Sequence, residues 1–367
     1  MPKKIVLCCD GTNNQFAGCQ TNVVRALKVA IESSDQVKFY HCGVGTIAEP
    51  WRDNWFSKTW SIVAGLAFGA GFEQNIADAY QFLMSNYKPG DEVYVFGFSR
   101  GAYTARALAA MLHSVGLLHP GMESMVRYAQ RYWLKDHGPD SEGPENCRDF
   151  KQTLSRPCPI HFIGVWDTVG SVGYINQFRT FPHTAENPEV SHVRHAVSID
   201  ERRSCFRQNL MFKAYPDQDI KNVWFPGVHS DVGGGYAKAE DGLAKVAFRW
   251  MMREAEKCGL DIDPQALQRE LVGIGAPPNP CADQHESLHG FWKAVEWIPV
   301  YRYNWETKKK EWRLSPALPR NVERDADKLE VYMHQSVIDR LKGRADYRPP
   351  NIPHTESEIR AKFKIET

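Results

Sequence analysis

Apolar residues along the chain fall into short runs at residues 4–9, 37–42, 93–98, 160–166 and 222–228. The run at 160–166, Ile-His-Phe-Ile-Gly-Val-Trp, is too continuous for a strand with one wet face and predicts a central strand of a parallel sheet. Between the runs the period lengthens to that of a helix. Val23, Val24, Leu27, Ala30 and Ile31 form one stripe, with Thr21 or Asn22 as its cap, and Ile76, Ala79, Tyr80 and Leu83 form a second. Ala102, Ala105 and Ala109 form a small-residue face able to lie close to a sheet, and Leu243, Val246, Ala247, Trp250 and Met251 form a broad amphipathic face. Residues 193–199 fit helix or strand equally.

This alternation predicts an α/β fold, α/β-hydrolase-like, with a mostly parallel central sheet flanked by helices. The length suits one domain spanning 1–367, in which residues 117–157 read as a cap-like insertion and 264–367 as a C-terminal extension packed on the core.

The chemistry is concentrated where the apolar runs stop. The third run passes through Gly97-Phe98-Ser99-Arg100-Gly101 into the alanine-rich helix. That is the order of a nucleophile elbow, a strand-to-helix turn that holds a serine in a strained backbone conformation. Glycine is needed on either side because a Cβ there would collide with neighbouring backbone. Two other runs end in Asp167-Thr168-Val169-Gly170 and in His229-Ser230-Asp231 followed by a glycine cluster, Gly233-Gly234-Gly235. Read as three successive strand ends, they give the chain order serine, aspartate, histidine. In such a triad the histidine takes the serine proton, and the carboxylate fixes its tautomer and stabilises the imidazolium that forms. The first run ends in Asp10-Gly11-Thr12. By position the backbone amides of Gly11, Thr12 and Arg100 are the oxyanion donors, with Asp10 shaping the early loop and Asp231 bracing the glycine loop. As rivals, Asp200 reads as part of a surface or structural salt bridge, and Asp231 is too close in sequence to His229 to orient it.

Composition removes several other readings. A net charge of +1 supplies no global field for nucleic acid. The nine cysteines, odd in number and without paired spacing, read as reduced thiols. No apolar segment reaches membrane-spanning length, so the expected location is cytoplasmic, with export of the folded chain by a specialised secretion system as the other option. Gly43-Val44-Gly45-Thr46 lacks the third glycine of a dinucleotide fingerprint, and no cofactor is expected. Lys308-Lys309-Lys310 reads as a solvated hairpin turn, with transient membrane-surface contact as its alternative role. His285-Glu286-Ser287-Leu288-His289 formally satisfies the zinc-protease pattern, but three nearby prolines and Gly290 give it a poor helical context.

These segments together resemble the family of α/β-hydrolases that includes the type VI secretion phospholipase effectors. The matching blocks are Asp10 to Asn13, Gly43 to Thr46, Gly97 to Arg106, Val165 to Val169, Asp200 to Arg203, Trp224 to Tyr236 and Tyr347 to Asn351. The resemblance implies a triad of Ser99, Asp167 and His229. It also implies a serine esterase acting on a lipid or small ester substrate, phospholipids first among them. The expectation is of a chain without the large additional membrane-engaging region of the toxic effectors, which leaves a housekeeping or fungal-type esterase role as an option. The alternatives are a non-catalytic lipid- or protein-binding scaffold with the same fold, and a zinc hydrolase using His285 and His289.

Overall fold

The computed structural model describes residues 2–11, 20–43, 69–135, 143–170, 173–174, 177–178, 181–273, 275–297, 299–304, 309–314, 317–322 and 330–367. Its centre is an eight-stranded sheet built from β1 (Lys4–Cys9), β2 (Gln36–His41), β3 (Glu92–Phe98), β4 (Ile160–Trp166), β5 (Val190–Ser198), β6 (Asp219–Phe225), β9 (Tyr332–His334) and β10 (Lys364–Glu366). Outside this sheet, β7 (Val300–Asn304) and β8 (Lys309–Arg313) pair with each other as an antiparallel hairpin, and two further pairs of two-residue strands lie elsewhere among the described residues. Lys309 and Lys310 open β8; Lys308 lies outside the described residues.

The strand order across the sheet is β10-β9-β6-β5-β4-β3-β1-β2, with every neighbouring pair parallel. The chain winds outward from β1 to β2, then returns to the other side of β1 with β3. The β1/β3 boundary is therefore the point where the winding direction reverses, the position at which open parallel α/β sheets generally bind ligands. Cys9 is level with Gly97, and Phe98 with Trp166, so β1, β3 and β4 end close to one height.

Alternation along the strands separates two cores. Ile5, Leu7, Val93, Val95, Ile163 and Val165 face α2 (Gly69–Asn86) and α3 (Arg100–Val115). Val6, Cys8, Tyr94, Phe96, Phe162 and Trp166 face α1 (Asn22–Val29) and α7 (Gly242–Lys257). The sheet is thus buried on both faces, which is why its strands carry continuous apolar runs.

Residues 117–157 contribute α4 (Val126–Lys135) and α5 (Gly143–Leu154), whose Val126, Ala129, Trp133, Cys147 and Phe150 join the core on the α2/α3 face. The C-terminal segment does more than cover the core. It supplies the edge strands β9 and β10, and Met333, Val337 and Ile338 close a third cluster with Val197, Ile199 and Trp224.

Two expectations require correction. Residues 193–198 belong to the nine-residue strand β5, inserted between β4 and β6, so Ser99, Asp167 and His229 follow the third, fourth and sixth strands rather than successive ones. Residues 283–287 carry no helix, so His285 and His289 do not share a helix face. Eight cysteines are free among the described residues, and burial pushes the Cys9 thiol up to about 12.

Candidate active site

Ser99 occupies the junction of β3 and α3 with φ 58° and ψ −120°. A non-glycine residue at positive φ is strained by of order 1–3 kcal/mol and persists where its surroundings enforce it. Here the enforcement is visible. An added Cβ at Gly97 would lie 2.6 Å from Ala102 Cα, and one at Gly101 would lie 2.1 Å from the Cys9 carbonyl oxygen. The two glycines let α3 turn sharply and press against the end of β1. The Ser99 amide donates to the Trp166 carbonyl at 3.1 Å, tying the elbow to β4, and the Ser99 hydroxyl makes no capping hydrogen bond to its own helix.

Asp167 directly follows β4 and is itself at positive φ, 39°. Its Oδ2 lies 2.6 Å from His229 Nδ1, and both side chains are almost fully buried, at 1% and 5% exposure. His229 begins the five-residue helix α6 (His229–Gly233) after β6. Its ring packs 4.6 Å from the Phe98 ring and 4.8 Å from the Phe206 ring, centroid to centroid, so the residue preceding Ser99 forms one wall of the imidazole's slot. Gly233 makes that packing possible, because a Cβ there would sit 1.9 Å from the Phe98 ring. The structure thus gathers the elbow, the carboxylate and the imidazole at one edge of the sheet. No hydrogen bond joins Ser99 Oγ to His229 among the described residues, a distance that commonly tightens only when substrate binds.

Burial depresses the His229 pKa, and the Asp167 hydrogen bond and charge only partly offset it. For Asp167 burial pushes upward, but Arg320 and His229 outweigh it and hold the carboxyl well below the usual range. The pair therefore rests as carboxylate and neutral imidazole, with Nδ1–H donating to Asp167 and Nε2 left as the basic nitrogen.

Sequence reasoning missed several partners. Arg320 grips both oxygens of Asp167, Nη1 to Oδ1 at 2.5 Å and Nη2 to Oδ2 at 3.0 Å. Glu201, fully buried, accepts the His229 amide at 3.2 Å and pairs with Arg203 at 2.9 Å, whose charge overcomes burial and lowers it to about 2. His195 accepts the Thr168 amide on Nε2 and donates from Nδ1 to Asn222 Oδ1, both at 3.1 Å, fixing the loop beside Asp167. Of these, Glu201 and Arg203 carried a signal, through their place in the Asp200 to Arg203 block. Arg320 lies in a loop with no motif.

The loop after β1 departs from expectation. The Gly11 amide donates to Asp10 Oδ1 at 2.7 Å, so that N–H is already engaged, and Thr12 lies outside the described residues. Asp10 Oδ2 also accepts from Thr21 Oγ1 at 2.7 Å and Tyr40 Oη at 3.1 Å, which makes Asp10 the brace of this loop. The Arg100 amide opens α3 at the elbow, where the helix dipole favours negative charge.

Asp231 braces its turn by accepting the Val228 amide at 3.1 Å and His285 Nδ1 at 2.7 Å. Asp200, expected in a salt bridge, instead accepts the Gly227 amide at 2.7 Å and Tyr347 Oη at 3.0 Å, and burial raises it to about 6. Glu286 pairs with Arg202, and no cluster of three metal-ligating side chains occurs among the described residues. The zinc pattern is thus dispersed into separate ion pairs. A cleft of about 710 Å³ lined by Leu318, Asn321, Pro350 and His354 contains none of Ser99, Asp167 and His229.

Residues 3–254 match the family described as T6SS, Phospholipase effector Tle1-like, catalytic domain. A curated relative, the uncharacterized protein YEL023C of Saccharomyces cerevisiae, is 40% identical over 230 residues, 58% of this chain and 33% of that protein. The chain spans about a third of that relative's length. Among solved structures, an uncharacterized protein from Pseudomonas aeruginosa aligns with TM-score 0.42 and 19% identity over 72% of this chain and 47% of its own. Arabidopsis thaliana SOBER1 aligns with TM-score 0.29 and 11% identity over 70% of this chain and all of its own. With the family's pattern running through more than half of its residues, the chain belongs to the Tle1-like phospholipase effector catalytic-domain family.

Proposed function

We propose that the protein is a serine hydrolase that cleaves carboxylic esters of lipids, phospholipids foremost, through a triad of Ser99, His229 and Asp167. The observation that carries this reading is the serine held at φ 58° between β3 and α3, beside a buried aspartate–histidine pair. Family membership supports a lipid ester as substrate.

On this reading Ser99 Oγ attacks the ester carbonyl carbon as His229 Nε2 accepts its proton. The carbonyl π electrons move to oxygen, and the resulting oxyanion is held by the Arg100 amide at the start of α3. The tetrahedral intermediate collapses by breaking the bond to the alcohol oxygen, which takes the proton from His229 and leaves. Water, deprotonated by the same imidazole, then attacks the acyl-serine and releases the acid. Asp167 keeps Nδ1 protonated and stabilises the imidazolium in both halves.

A fluorophosphonate probe tests the assignment, since it reacts covalently only with an activated serine. Labelling mapped to Ser99, and lost in Ser99→Ala, is the expected result. A folded wild-type protein that takes no label would refute it in favour of a non-catalytic scaffold. Hydrolysis of phospholipid vesicles measured beside p-nitrophenyl butyrate then decides between a lipid and a small soluble ester.

A further inference from the structure

Arg320 lies outside residues 3–254, the segment that carries the family pattern, yet it makes the most extensive contact with the aspartate of the site. Its side chain is 2% exposed against 1% for Asp167. The fork is held from behind as well. Nη1 also donates to the Ser198 carbonyl at 3.0 Å and to Ser198 Oγ at 2.8 Å, and Nη2 donates to the Phe206 carbonyl. The backbone is pinned in turn by Asn351, whose Nδ2 donates to the carbonyls of Arg320 at 2.9 Å and Ile199 at 3.0 Å. One guanidinium therefore joins the ends of β4 and β5 to the C-terminal segment.

We infer that Arg320 is a positioning residue of the reaction: by clamping both oxygens of Asp167 it orients that carboxylate toward His229 and moderates how strongly the pair holds a proton. The inference rests on the triad proposed above. An isolated buried carboxylate strongly favours a charged imidazole beside it, whereas a guanidinium on the same carboxylate opposes that charge. Asp167 Oδ2 is shared between His229 Nδ1 and Arg320 Nη2, so the cation sits within one carboxylate of the imidazole. The other charged groups around His229 are Glu201 and Arg203 from the loop after β5, paired with each other, and Asp231 on α6, which turns to His285. Phe98 and Phe206 cover the ring faces and keep water from screening these charges. The consequence is a base kept neutral, and so able to accept the serine proton, at a lower pH than a bare aspartate would allow.

The experiment measures the second-order rate of fluorophosphonate labelling of the full chain from pH 5 to 9. It compares wild type with Arg320→Met, Arg320→Lys and Ser99→Ala, each checked for fold by circular dichroism. Because the neutral imidazole is the active form, the rate falls as pH drops through the His229 pKa. The wild-type acid limb is expected below the ordinary histidine value of about 6.5. Arg320→Met should move it upward by about one unit or more, since the opposing charge is gone. Arg320→Lys, which keeps the charge but not the fork, should slow the plateau while leaving the limb within about half a unit of wild type.

Coincident limbs in wild type and folded Arg320→Met would overturn the inference while leaving the triad standing. So would Arg320→Lys shifting as Arg320→Met does. If Arg320→Met does not fold, a wild-type limb above about pH 7 overturns it on its own. Absence of labelling in folded wild type, or persistence of label in Ser99→Ala, refutes the triad itself.

Discussion

Acidification from pH 7 to 5 should destabilise this protein through histidines that burial keeps neutral, and His195 is central to the reason. The ring is fully buried between β4, β5 and β6, and burial, reinforced by the Arg106 charge, holds it down to about 3. Both nitrogens are committed in the neutral form: Nδ1–H donates to Asn222, and Nε2 accepts from the Thr168 amide, so a second proton would displace the latter. His334, stacked 4.5 Å from Phe225, is likewise depressed to about 3, chiefly by burial. Unfolded histidine protonates near pH 6.5, so the unfolded chain takes up protons that the native state refuses, and the stability present above pH 6.5 is lost as pH falls toward 3.

From pH 7 to pH 5 that amounts to about 2 kcal/mol for each histidine, about 4 in all, against a typical total of 5–15. His229, also depressed by burial, adds in the same sense, while His285, raised by its hydrogen bond to Asp231, and Asp200, raised by burial to about 6, oppose it. The depressed carboxylates Asp167 and Glu201 contribute stability that is lost only below about pH 4.5, outside this window. Urea denaturation followed by tryptophan fluorescence at pH 7 and 5 measures the loss directly. His195→Gln, which can still meet the Thr168 amide but cannot titrate, should remove about half of it. A wild-type loss below about 1 kcal/mol, or an equal loss in His195→Gln, refutes the reasoning.

Other perturbations have clear expected outcomes. Asp167→Asn should reduce esterase activity by about 10³–10⁴ through loss of the imidazole's tautomer and charge partner, measured as kcat on p-nitrophenyl butyrate. Arg25→Met removes the hydrogen-bonded cation from the buried Asp241 carboxylate, leaving Lys245 Nζ at 3.6 Å, and should lower stability by about 3 kcal/mol in urea titrations. Gly101→Ala drives a methyl group into the Cys9 carbonyl and should destabilise the fold by about 3 kcal/mol, with fluorophosphonate labelling lost along with the elbow geometry.

The positions of Ser99, Asp167 and His229 after strands were legible in the sequence because each follows a short continuous apolar run bounded by turn residues, the pattern of a strand buried on both faces. Strand β5 was not, and the obstacle is chemical. Val190–Ser198 is interrupted by Arg194 and His195, which resemble an exposed face but are both buried. Arg194 is satisfied by Glu254 at 2.8 Å and Asp219 at 2.6 Å, and His195 by Thr168 and Asn222, partners from distant segments that no local pattern announces. The same holds for Arg320, 153 residues from Asp167 along the chain. The zinc pattern shows the opposite case, a spacing that has meaning only on a helix, set among prolines and Gly290 where residues 285–289 are not helical.

The charges around the proposed triad form a closed arrangement. Asp167 is balanced by Arg320, and Glu201 by Arg203, so the buried shell is close to neutral while His229 is neutral. Attack by Ser99 creates two charges together, an imidazolium and an oxyanion. A neutral shell lets that new pair stabilise itself without a net buried charge at either end of the step, which a low-dielectric site would penalise heavily. Arg106 extends the same logic to the walls. It is buried without a carboxylate, and donates instead to the carbonyls of Thr184, Asn209 and Leu210 and to Asn209 Oδ1, stitching α3 to the segment that leads from β4 toward β6. The elbow helix thus carries the proposed nucleophile at its first turn and anchors the site's flank two turns later. Disturbing Arg106 should therefore lower stability and the Ser99 labelling rate together, whereas disturbing Arg320 should move the pH dependence of labelling.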